Sequence, residues 1–108
     1  EVPPTELRDR LASDSPPVLI DVREPWESAL ASIDGAIALP LSQLRHPGAT
    51  LPENLDPSAE TVVHCKVGAR SRTACEILRD NHGFSSLGNL AGGIDAWAEQ
   101  AELDVPRY

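Results

Sequence analysis

Thr61-Val62-Val63-His64-Cys65-Lys66-Val67-Gly68-Ala69-Arg70-Ser71 joins an apolar run to a stretch with helical periodicity. Thr61 to His64 is short, apolar and rich in β-branched residues, as a buried strand requires. From Ser71 the pattern changes. Ala74, Ile77 and Leu78 share one face of a helix running to about Asn81, and Gly83 takes the place just past its end. Between them, Cys65 to Arg70 reads as a loop with Gly68 at its centre. A strand that ends in a thiol, a short glycine-bearing loop and then a helix is the unit from which an α/β sheet is built.

The flanking sequence repeats that alternation. Before it, Pro3-Pro4-Thr5 leads into a short helix over residues 6–11, with Leu7 and Leu11 on one face. Val18 to Val22 is an apolar run after the turn Ser13–Pro17, and reads as a buried strand. Pro25 suits the first turn of a helix to about Leu30. Asp34-Gly35 turns into a strand over 36–39, which Pro40 ends, and a brief helix at 41–45 follows. Residues 46–60 hold three of the ten prolines and read as an irregular connection. After the central unit, 86–90 is a further strand. Gly92-Gly93 then turns the chain into a last helix from Ile94 to about Ala101, with Ile94, Trp97 and Ala98 inward. Apolar strands alternating with helices predict an α/β fold: a mostly parallel central sheet of four to five strands, with helices on both faces. In such sheets ligands bind beyond the carboxyl ends of the strands, which is where Cys65 falls.

The loop has the parts of an anion cradle. Curled around Gly68, its backbone N–H groups can point inward, and the start of the next helix adds partial positive charge. Lys66 and Arg70 add formal charge. Each of these favours thiolate over thiol at Cys65, and the same cradle would hold a persulfide. Arg70 can offer paired planar donors to an oxyanion such as thiosulfate. A Cys at a strand end is also an ordinary small buried residue, but the basic glycine loop favours the reactive reading. Cys75, mid-helix beside Ala74, reads as packing. His64 precedes the nucleophile with its side chain on the opposite face, and reads as a packed structural His rather than a base. Asp21 and Arg23, at a strand's carboxyl end near the site, read mainly as a structural ion pair and hydrogen-bond anchor. Trp97 and Trp26 read as packing residues, with Trp26 open to a partner. Gly92 and Gly93 either shape the rim by close backbone approach or simply turn the chain.

Composition narrows the class. The chain has 108 residues, 41% of them hydrophobic, enough for one domain over 1–108. It has 17 acidic and 9 basic residues and a formal charge of −8, which opposes nucleic-acid binding. Against this background Lys66, Arg70 and Arg72 form a local basic cluster. No apolar run approaches a membrane span and no secretory leader is visible. Two cysteines ten apart suit neither a disulfide framework nor a zinc site, so we expect no metal and a reducing, cytoplasmic setting. The sequence has no Met, so a piece of a longer chain is expected.

Cys65-Lys66-Val67-Gly68-Ala69-Arg70-Ser71 closely resembles the active-site loop of the rhodanese family, Cys-x-x-Gly-x-Arg-Ser. Leu19 to Glu24 looks like the family's first signature. Ile33-Asp34-Gly35-Ala36 with Leu39-Pro40 looks like its second. Gly83-Phe84, Leu90 to Ile94 and Trp97 resemble its closing segment. One departure is Ala31-Ser32, where the family usually has Gly-His before the second signature. The resemblance implies a rhodanese-like three-layer α/β/α fold and a sulfurtransferase. In that reading Cys65 is the catalytic nucleophile, and Lys66, Val67, Gly68, Ala69, Arg70 and Ser71 bind the substrate. Sulfur would arrive from thiosulfate or a cysteine desulfurase persulfide, with no cofactor beyond the covalent persulfide on Cys65. Residues 21–27, the opening 65–68 and the ending Asp104-Val105-Pro106-Arg107-Tyr108 are similar to one subgroup. There a rhodanese domain is the C-terminal part of an adenylyltransferase that activates ubiquitin-like sulfur carriers for molybdopterin or thiamine pathways. That similarity implies such a carrier as acceptor and an adenylyltransferase domain in the same chain.

Two other functions compete. The fold is shared with phosphatases and arsenate reductases, but only four residues separate Cys65 from Arg70, one fewer than the phosphatase signature. The shorter loop should form a cradle sized for sulfur. A non-catalytic binding module is the other alternative. An inactive copy would be expected to lack the Cys or the Arg, and both are present.

Overall fold

The computed structural model describes residues 1–102, 104–106 and 108. Leu103 lies outside the described residues, as does Arg107 of the ending quoted above. Four strands, β1 (Val18–Asp21), β2 (Ile37–Ala38), β3 (Thr61–His64) and β4 (Leu87–Asn89), form one sheet in the order β2-β1-β3-β4. Every pairing is parallel. Val2 adds a single parallel bridge to Leu90 beyond β4. Because all strands run the same way, Asp21, His64 and Asn89 end along one edge, and the loops leaving that edge can converge.

Five helices cross between and cover the strands: α1 (Pro4–Leu11), α2 (Pro25–Leu30), α3 (Leu41–Leu44), α4 (Ala69–His82) and α5 (Gly93–Gln100). The alternation of side chains along a strand divides the core in two. Leu19 and Val62 pack on one face with Leu7, Ile94, Trp97 and Ala98 of α1 and α5. Ile20 and Val63 pack on the other with Leu41, Leu44, Ala74 and Leu78 of α3 and α4. The result is the expected three-layer α/β/α arrangement. No described helix is long and apolar enough to cross a membrane.

The largest boundary differences from the sequence reading are at the starts of α1 and α4. Thr5 lies inside α1 rather than capping it, because Pro3 is the N-cap and Pro4 takes the first turn, where a missing N–H costs nothing. Helix α4 begins at Ala69, two residues before Ser71, so Arg70 and Ser71 belong to its first turn and not to the loop. The reason is Gly68. At φ 114° it takes a conformation that other residues avoid, and it turns the chain into the helix at once. The loop proper is thereby shortened to 65–68.

Candidate active site

The thiol of Cys65 lies beneath the α4 side of the sheet edge, and the residue is only 1% exposed. Two groups hold its sulfur directly. The main-chain N–H of Gly68 donates to Sγ at 3.0 Å. The Ser71 hydroxyl sits 3.4 Å away. Burial pushes the thiol pKa up. The Ser71 hydroxyl and the N–H groups of Ser71, Gly68 and Val67 outweigh that, so Cys65 stays below the ordinary thiol range.

The donors are themselves fixed. The Gly68 carbonyl accepts from Arg72 N, Ser71 Oγ and Asn89 Nδ2, each at 3.2 Å, which fixes the Gly68–Ala69 peptide that follows the donor. Ser71 Oγ also donates to Asn89 Oδ1. It therefore has three acceptors in reach (Gly68 O, Asn89 Oδ1 and Sγ) and one proton to give. When sulfur is anionic, turning that proton to Sγ is the favoured arrangement.

Helix α5 anchors the strand end from the other side. Ile94 N donates to Cys65 O at 2.9 Å and Asp95 N to Lys66 O at 3.1 Å. This approach needs a glycine at 93. A Cβ there would stand 2.3 Å from Lys66 O, and the backbone is left-handed at φ 63°. Of the two sequence readings of Gly92-Gly93, close approach holds for Gly93.

The two cations beside the thiol are each paired. Lys66 Nζ bonds Asp95 at 2.9 and 3.1 Å. Arg70 forks onto Glu27, with Nη1 to Oε1 and Nη2 to Oε2, the latter at 2.8 Å. Arg70 holds Glu27 well below the usual carboxylate range, to about 2, and Glu27 in turn raises Arg70. Tyr108 completes the network. Its hydroxyl donates to Glu27 Oε2 at 2.8 Å and accepts from Arg23 Nη1 at 2.9 Å. Arg23, only 1% exposed, binds Asp21 through Nε at 2.9 Å and Nη2 at 2.7 Å. Asp21 and Arg23 are thus the ion pair expected from the sequence.

Among the expected site residues, Gly68 and Ser71 reach the sulfur, and Val67 contributes its N–H while its side chain is exposed. Ala69 is exposed at the start of α4. His64 is fully buried on the face away from Cys65. Its Nδ1 lies 3.4 Å from Cys65 O, and burial pushes its pKa down, keeping it neutral. Cys75 is half-buried, and burial raises its thiol. Sequence reasoning missed Glu27, Asn89 and Asp95, and did not assign Tyr108 to the site. The only available signal for Asn89 was a polar residue at the carboxyl end of an apolar strand.

The family model for the rhodanese-like domain matches residues 3–100. The probable adenylyltransferase/sulfurtransferase MoeZ of Mycobacterium tuberculosis is 41% identical over 107 residues, 99% of this chain and 26% of that protein. The chain therefore spans about a quarter of that relative's length. A sulfurtransferase of Allochromatium vinosum is 36% identical over 98 residues, covering 91% of this chain and 87% of its own. The solved structure of the human single domain sulfurtransferase TSTD1 superposes with a TM-score of 0.76 at 32% identity, covering 90% of this chain and 96% of that one. With a parallel sheet whose carboxyl edge presents a cradled thiol, and a match over nearly its full length, the chain belongs to the rhodanese-like domain family.

Proposed function

We propose that the domain is a sulfurtransferase that carries sulfur as a persulfide on Cys65. The observation that carries this reading is the Gly68 N–H at 3.0 Å from Sγ, with the Ser71 hydroxyl beside it, an arrangement that favours the anionic form of a buried thiol. The thiolate attacks the outer sulfur of a sulfane donor. With thiosulfate the S–S bond breaks, sulfite leaves with the bonding pair, and Cys65 gains one sulfur. The same N–H groups then face the anionic terminal sulfur. No cofactor enters the step.

Either thiosulfate or the persulfide of a cysteine desulfurase can serve as donor. The acceptor in this reading is the adenylated C-terminus of a ubiquitin-like sulfur carrier, in a molybdopterin or thiamine pathway. The persulfide attacks the acyl carbon and expels AMP, and a second thiol cleaves the S–S bond to release the thiocarboxylate. Support comes from MoeZ, named as both adenylyltransferase and sulfurtransferase. A phosphatase reading is disfavoured by loop length, since only four residues separate Cys65 from Arg70, one fewer than in the phosphatase signature.

Intact mass after incubation with thiosulfate, or with a desulfurase persulfide, tests the proposal. The expected result is a gain of one sulfur atom, absent in Cys65→Ser and discharged by cyanide. No gain from either donor would overturn it and favour the binding-module reading.

A further inference from the structure

Tyr108 meets Lys66, the neighbour of Cys65, directly, and it meets Arg70 through Glu27. The ammonium of Lys66 lies 4.9 Å from the centroid of the Tyr108 ring. The Tyr108 hydroxyl bridges Arg23 and Glu27, and Glu27 holds Arg70. Trp26, 63% exposed, packs edge-on against the same ring with centroids 6.3 Å apart. Lys66 has four rotatable carbons and its head group is otherwise held by Asp95 alone among the described contacts. An aromatic face under an ammonium fixes it in place as well as attracting it.

We infer that Tyr108 is a positioning residue, whose ring and hydroxyl together hold Lys66 and the Arg70–Glu27 pair where they guide an anionic reagent to Cys65. The main-chain donors set the state of the sulfur. Tyr108 acts on what approaches it. Each cation is matched by a carboxylate, so the mouth has little net charge. Its pull on an anion depends on where the cations are held. This inference rests on Cys65 being the reactive group of the proposed function.

The test compares alkylation of Cys65 by iodoacetate and by iodoacetamide, two reagents of like chemistry that differ by one charge, in a Cys75→Ser background. Tyr108→Leu should lower the iodoacetate-to-iodoacetamide rate ratio by about threefold or more, mainly by slowing iodoacetate. Tyr108→Phe keeps the ring and should fall between wild type and Tyr108→Leu. It also stays readable if the Leu variant unfolds, and a wild-type ratio in it would then overturn the inference. Lys66→Ala should lower the ratio too, and the double variant with Tyr108→Leu should fall short of the product of the two losses. An unchanged ratio in folded Tyr108→Leu, equal slowing of both reagents, or losses that simply multiply would each overturn the inference. Neither reagent carries sulfane sulfur, so the ratio remains readable if Cys65 takes up no sulfur, and the two failures are told apart.

Discussion

Arg70 sets both of its Nη groups on the carboxylate of Glu27, 43 residues earlier in the chain. The guanidinium beside the thiol is thus a held charge rather than an open fork. Glu27 is buried on α2, where it also closes a capping box with Glu24, so one carboxylate serves the helix start, the tyrosine and the site.

The pairing has a pH signature. The folded pKa of Glu27 is about 2 against an ordinary 4.5, so its contribution to stability is complete above pH 4.5 and is lost as pH falls towards 2. Glu27→Gln should cost about 1–3 kcal/mol at neutral pH. It should also lose less further stability than wild type on acidification through that window. Urea unfolding followed at several pH values checks both.

Ser71→Ala removes the hydroxyl that leads the forces lowering the Cys65 thiol. The pH midpoint of iodoacetamide alkylation should move up, because burial then acts with one fewer opposing donor. At neutral pH the rate should fall roughly tenfold, the loss of one hydrogen bond to a charged group. A midpoint unchanged in the variant would mean the main-chain N–H groups suffice alone.

Gly93→Ala and Gly35→Ala separate crowding from backbone strain. Both glycines have positive φ, 63° and 84°, but a Cβ at 93 strikes Lys66 O at 2.3 Å while nothing lies within 4 Å at 35. Gly35→Ala should cost about 1 kcal/mol. Gly93→Ala should cost about 3 kcal/mol or more and displace the Cys65 loop. Denaturant titration together with sulfur uptake distinguishes the two.

Cys75→Ser should leave sulfur uptake on Cys65 intact. Burial raises the Cys75 thiol, so little of it is the reactive thiolate at neutral pH. Intact mass after loading should show the same single sulfur in this variant. Loss of that sulfur would assign Cys75 a part in the reaction.

Local physics made much of this protein legible in its sequence. The short apolar runs Val18–Asp21 and Thr61–His64, the helical period through Ala74, Ile77 and Leu78, and the turn residues between them depend on near neighbours, so they declare strands, helices and their order. Cys65 at a strand end with Gly68 three residues on followed from the same rules. The start of α4 escaped, because whether the helix begins at Ala69 or Ser71 depends on the φ that Gly68 adopts once the loop closes on the sulfur. The partners of the cations were decided by the tertiary structure alone. Lys66 and Arg70 carry long side chains in a chain with 17 acidic residues, any of which could pair with them. Only the packing of α2 and α5 against the sheet edge selects Glu27 and Asp95, and only the tertiary structure sets Tyr108 against Glu27 and Lys66. Asn89 is a similar case: its bonds to Gly68 and Ser71 require β4 to lie beside β3, a pairing between strands more than twenty residues apart that no local pattern states.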